Sequence, residues 1–251
     1  MFLDNIFSEI ILRWILFSDR TPEPIITMSQ SSMFDATTAE SISLLQGYRN
    51  MPLVSLEDAT LALQNIIPDI KDMVCTAKMN CRKPGDNLTS DQSASIMLLN
   101  MNSLARENSF RYFLNEALRS NSEQQLKPWF LYLKLLFDGL SKINSKRCTV
   151  HRGVNANMLA QYPAEFVFVL SKFMSCTEKF KTLDDEHGFI NTGTRTLFSI
   201  ECSSGKDISK HSFNCTDDEI LLLPGTQFQV HSSLNTGDEF YIIKMVEITS
   251  P

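Results

Sequence analysis

Three short stretches of this chain place charged or hydroxyl side chains in apolar, strand-like surroundings. In "TVHRGV", Arg152 and Gly153 lie inside an apolar run. An arginine there requires an anion or a carboxylate beside it, because an unpaired buried charge is costly. Its planar guanidinium suits phosphate, and a glycine beside it lets a ligand approach the backbone. In "FMSCT", Ser175 and Thr177 share one face at the end of a second such run. In "TDDEILLLPGTQFQV", Asp217, Asp218 and Glu219 lead directly into Ile220 to Leu223. Residues two apart on an extended chain point the same way, with Cα atoms ~7 Å apart. Asp217 and Glu219 therefore share a face, and Asp218 takes the other. Two carboxylates at the edge of an apolar strand can divide protonation or binding roles, since partial burial shifts each differently. Taken singly, each stretch also has a plain reading: a structural salt bridge, hydroxyls satisfying a strand end, a solvated acidic loop.

The elements that must position these residues come in a simple order. Ser55 is an N-cap with Glu57 and Asp58 in the first turn after it, and an apolar stripe follows until Pro68 interrupts. The stripe resumes through Ile70, Met73, Val74 and Ala77. A loop, "RKPGDNLTSD", precedes a helix opened by Ser90 with Ser93 three residues on, "SDQSASIMLLNMNSL". Further helices are expected over "SFRYFLNEALRS" and from about Leu126 to Ile143; their aromatic and Met positions read as core. After Asn144 the runs become short, β-branched or aromatic, and often alternating. "TLFSIEC" sets Leu197, Ser199 and Glu201 on one face and Phe198 and Ile200 on the other. Helices first and strands afterwards indicate an α+β fold. No GxGxxG or P-loop pattern is present, so neither nucleotide motif is supported.

Composition narrows the function. The chain has 251 residues, 43% of them hydrophobic, enough for one sizeable core or one domain with an extension. A net charge of -6, with no basic run longer than two residues, argues against nucleic acid as a partner. The six cysteines form no CxxC pair and the four histidines are scattered, so no zinc pattern arises. An even cysteine count fits either disulfides or reduced thiols. The N-terminal "MFLDNIFSEIILRWILFSDR" is apolar but broken by Asp4, Glu9 and Arg13. It fits the pattern of neither a signal peptide nor a membrane span, and a helix docked on the domain or on a partner is expected ahead of a membrane anchor. The compartment stays open, with the cytoplasm favoured. Residues 1–50 are expected to hold this helix and a Ser/Thr/Pro-rich linker, and residues 51–251 the domain, helical over 51–145 and β-rich over 146–251.

An Arg, then a hydroxyl triplet, then an acid-x-acid pair entering a strand is a known order. Over about Leu53 to Ile248 the chain resembles the arginine-specific mono-ADP-ribosyltransferases, the class with an Arg–Ser–Glu signature. "TVHRGV" resembles its Arg motif, "FMSCT" its Ser-Thr-Ser motif, and "DDEILLLPGTQFQV" its Glu-x-Glu motif. Upstream, "IPDIKDMVCTAKMNCRKPGDNLTSDQSASI" and "LKPWFLYLKLL" resemble the family's helical half. The resemblance implies a helical subdomain packed on a mostly antiparallel, two-sheet β core with an NAD cleft. It implies transfer of one ADP-ribose from NAD to a protein side chain, arginine foremost, with no metal.

The resemblance also assigns roles. Glu219 would stabilise the cationic ribose and bond a ribose hydroxyl, and Ser175 would orient Glu219. Arg152 would hold NAD phosphate, Gly153 the nicotinamide amide, and Asp217 the acceptor guanidinium. The family usually carries Glu where this chain has Asp217, one methylene shorter. That change leaves open an NAD glycohydrolase, with water as the acceptor. The remaining alternative is a non-catalytic module that binds NAD or a partner. Phe189, in the loop after the serine motif, could stack on the dinucleotide.

Overall fold

The computed structural model describes residues 46–101, 109–120, 122–179, 193–213 and 218–248. The N-terminal apolar stretch, most of the linker, Asp217 and Phe189 lie outside the described residues. All of the described residues fall within one unit, Ser32–Pro251.

The helices come first: α1 Leu56–Thr60, α2 Ile70–Asn80, α3 Ser90–Asn100, α4 Phe110–Arg119, α5 Glu123–Leu126 and α6 Phe130–Lys142. Ser55 caps α1, its hydroxyl accepting from the Asp58 backbone N–H. The cap of α3 is Thr89 and not Ser90. Thr89 Oγ1 accepts from Gln92 N at 3.2 Å, and Gln92 Oε1 accepts from Thr89 N at 2.8 Å. A capping box needs Glu or Gln at its third helical position, and counting from Thr89 supplies Gln92, whereas counting from Ser90 gives Ser93. The last long helix starts at Phe130 rather than near Leu126, because a 3-10 turn over Lys127–Trp129 intervenes with Pro128 inside it. Proline lacks the N–H that would continue the α5 ladder. Trp129, Tyr132, Phe110 and Leu136 sit at the centre of the helical core. Tyr132, fully buried, donates its hydroxyl to Ser95 O at 2.8 Å.

The strands follow: β1 Ser145–Val154, β2 Val167–Val169, β3 Met174–Cys176, β4 Arg195–Asp207, β5 Ile220–Leu222, β6 Gln227–Gly237 and β7 Phe240–Glu247. The two-sheet core expected is one hydrogen-bonded network of seven strands, mostly antiparallel. The long strand β4 joins its parts. One edge of β4 pairs with β1. The other pairs with β7 as far as Glu201, in parallel, and then with β5 from Lys206. Strand β5 pairs with β3, and the end of β3 bridges back to β1 through His151 and Thr177. Strands β1, β4, β5 and β3 thus close a small ring. In β4, Phe198 and Ile200 are buried on one face, while Ser199 and Glu201 face outward. Leu197, on the outward face, is covered by Phe240 and Ile242 of β7.

Strand β5 explains why an acidic segment leads into an apolar one. All three of its residues are buried. Ile220 and Leu222 pack in the strand core, whereas Leu221 packs in the helical core together with Phe173 and Ile208. The period of two splits β5 between the two clusters, so it must be apolar on both faces. Its approach to β4 is close enough to demand glycine at 205: a Cβ there would lie 2.8 Å from Ile220 Cγ2. The described helices include none long and apolar enough to cross a membrane.

Candidate active site

Register brings Ser175 and Glu219 together, and Arg152 joins them through a hydrogen bond. Ser175 pairs with Leu221 and Cys176 with Ile220 across β3 and β5. Ser175, Glu219 and Leu221 therefore share the face turned toward the helices, with Ser175 and Glu219 as diagonal cross-strand neighbours, within reach of a long side chain. Ser175 Oγ donates to Glu219 Oε1. Arg152 Nη1, from β1, donates to Ser175 O at 2.6 Å. Three residues from β1, β3 and the start of β5 thus form one connected group, with Ser175 in the middle. Gly153 follows on β1, paired with Leu197 of β4.

Glu219 is held on several sides although only 8% exposed. Its carbonyl accepts from Ile208 N at 3.1 Å and its N–H donates to Ser209 Oγ at 3.3 Å. Ser212 Oγ lies 3.5 Å from Oε2. The carboxylate also meets a cation that the sequence reading missed. Arg111 Nη2, from the first turn of α4, lies 2.9 Å from Oε1. Arg111 Nε donates to Leu99 O at 3.1 Å, and Nη2 donates to Asn100 Oδ1. Asn115, one turn along α4, clamps the backbone ahead of Ser175: its amide accepts from Phe173 N and donates to Phe173 O. A signal for Arg111 was present, since it follows buried Phe110 in a helix that packs into the core. Its partner, 108 residues away, could not be found by spacing.

The neighbouring groups define what the site cannot do by other means. Burial in the strand core pushes the Cys176 thiol up to about 12, which disfavours its thiolate. Burial also lowers the His151 pKa, which favours a neutral imidazole. Asp218, next to Glu219 in the chain, has its carboxylate 3.8 Å from Lys179 Nζ. The turn carrying Ser212 is fastened to the helices by buried His211, which lies 2.9 Å from Ser93 Oγ and 3.1 Å from Asp86 Oδ2. The described part of the site thus offers one buried, oriented carboxylate beside an arginine fork.

The family model for NAD:arginine ADP-ribosyltransferases matches residues 50–248. No match is found among curated proteins. Among solved structures, the chain is similar to the ADP-ribosyltransferase Vis from Vibrio splendidus in complex with agmatine, at 16% identity. That match covers 81% of this chain and 90% of Vis, with a TM-score of 0.53. It is similar to the type III effector XopAI from Xanthomonas axonopodis pv. citri (13% identity, 86% and 95% of the chains, TM-score 0.59). It is also similar to the ADP-ribosyltransferase HopU1 of Pseudomonas syringae pv. Tomato (18% identity, 85% and 99%, TM-score 0.52). At these identities the likenesses establish the fold, and the family model, covering most of the chain, establishes the membership. The chain belongs to the NAD:arginine ADP-ribosyltransferase family.

Proposed function

We propose that this protein transfers a single ADP-ribose from NAD to a protein arginine and releases nicotinamide. The observation that carries the reading is the continuous link from Arg152 through Ser175 to Glu219. In the proposed reaction the bond between nicotinamide and C1′ of its ribose breaks first. The electron pair leaves with nicotinamide, which becomes neutral, and positive charge develops on the ribose. A fixed carboxylate beside that charge stabilises the transition state more than the ground state. Glu219 supplies it, and its Oε2 is the oxygen less engaged by protein donors. Arg152 holds the diphosphate, and Gly153, lacking a Cβ, leaves its backbone open to the nicotinamide amide. The acceptor guanidine nitrogen then bonds to C1′ and gives up a proton to Asp217.

A second reading, NAD hydrolysis, is favoured by the shorter acid at Asp217, which reaches less far toward an acceptor. Agmatine is bound by Vis and presents a guanidinium without a protein attached, so it is the probe of choice. Labelled NAD is incubated with the protein and agmatine, and labelled agmatine and free nicotinamide are followed separately. Equal yields of the two products support transfer. Nicotinamide without labelled agmatine or labelled protein would replace the reading with hydrolysis. Neither product would leave a binding module.

A further inference from the structure

Arg111 breaks a local rule. It is the second residue of α4, and a cation in the first turn of a helix opposes the helix dipole. What offsets this lies outside α4. Arg111 Nε donates to Leu99 O, one of the carbonyls left without a partner at the C-terminal end of α3. Nη2 divides its two protons between Asn100 Oδ1 and Glu219 Oε1. The guanidinium is therefore fixed by three acceptors, two at the end of one helix and one on the carboxylate. Its side chain is 24% exposed and that of Glu219 is 11% exposed, so the pair is largely withdrawn from water. The helix carrying Arg111 is itself tied to β3 by the two hydrogen bonds between Asn115 and the Phe173 backbone.

The two oxygens of Glu219 consequently differ. Oε1 receives both the Ser175 hydroxyl and the Arg111 guanidinium. Oε2 meets Ser212 Oγ at 3.5 Å, the long end of hydrogen bonding. Building on the proposed role of Glu219, we propose that Arg111 is a positioning residue. With Ser175 it occupies Oε1, fixes the plane of the carboxylate, and leaves Oε2 as the oxygen offered to the ribose. Since Arg111 acts on the carboxylate and not on the dinucleotide, its loss should lower turnover and leave NAD binding little changed.

The experiment measures nicotinamide release as a function of NAD concentration for the parent, Arg111→Met, Arg111→Lys and Glu219→Gln, with a thermal melt of each. For Arg111→Met, kcat is expected to fall about tenfold or more, the worth of one charge-assisted hydrogen bond. Its KM for NAD should stay within about threefold of the parent. Arg111→Lys restores a cation near Oε1 and should recover part of the lost kcat. If Arg111→Met does not fold, Arg111→Gln, which keeps an N–H donor and much of the volume, carries the same expectation. A parent-like kcat in the charge-removed variant would overturn the assignment. So would a loss confined to KM, or an Arg111→Lys variant no better than Arg111→Met. Glu219→Gln separates the two levels: if it turns over like the parent, the role of Glu219 fails first. If it is inactive while Arg111→Met is parent-like, only the Arg111 assignment falls.

Discussion

Ser175→Ala isolates one link in the site. Ser175 contributes two things: a hydroxyl that donates to Glu219 Oε1 and a carbonyl that accepts from Arg152 at 2.6 Å. Alanine removes the first and keeps the second, and the pairing of residue 175 with Leu221 uses backbone alone. Only one oxygen atom is lost, at a position that is not fully buried. Glu219 Oε1 is not orphaned, because Arg111 still lies 2.9 Å away. The melting temperature should therefore change little. A hydrogen bond to a charged group contributes about 1.5–3 kcal/mol. If that amount is expressed in holding Glu219 for the transition state, kcat falls about ten- to 150-fold, at 1.36 kcal/mol per decade. The assay is nicotinamide release at saturating NAD, with KM from the same titration. KM should hold, and Ser175→Thr, which keeps a hydroxyl, should recover most of the rate. A folded Ser175→Ala protein with kcat within about twofold of the parent would refute the claim that this hydroxyl orients the carboxylate.

Other consequences follow from the same contacts. Thr89→Ala removes the hydroxyl half of the α3 capping box, leaving the Gln92 half, and should cost about 1 kcal/mol in urea unfolding. Gly205→Ala places a Cβ 2.8 Å from Ile220 Cγ2 and 3.1 Å from Cys202 Sγ. Since Ile220 follows Glu219 directly, the variant should lose about 1–3 kcal/mol of stability and some turnover as well. Asp86 has its carboxyl held below the ordinary 3.8 by the Lys210 hydrogen bond first and by His211 as well, against the opposing effect of burial. A depressed carboxylate stabilises the fold above its unfolded value, and the contribution is lost as pH falls through the folded value. Unfolding at about pH 6 and about pH 3 should thus show a smaller acid-induced loss for Asp86→Asn than for the parent.

The sequence made the order of elements readable, because helical stripes and strand alternation are local patterns. Ser55 declared the start of α1, and the alternation from Leu197 to Glu201 separated the two faces of β4. Other features depended on partners far along the chain. The ring of strands closes through His151 and Thr177 and through β4 changing partner after Glu201, and no local periodicity encodes that. The role of Arg111 depends on α3 and Glu219, both distant in sequence, being brought beside it. His211 belongs to no motif in the sequence, and only the fold shows that it ties the Ser212 turn to Asp86 and Ser93. At the start of α3, adjacent Thr89 and Ser90 compete for the cap, and Gln92 decides between them.

The central claim is that the Glu219 carboxylate drives loss of nicotinamide from NAD while other groups hold the dinucleotide. The most direct measurement pairs NAD binding by calorimetry with nicotinamide release, for the parent and Glu219→Gln. The variant keeps the size and one hydrogen-bond acceptor but carries no charge. The account requires it to bind NAD with affinity close to that of the parent and to release nicotinamide at least about a thousandfold more slowly, the scale set by losing an oriented charge at the reacting centre. A variant that binds NAD normally and turns it over within about tenfold of the parent would contradict the account.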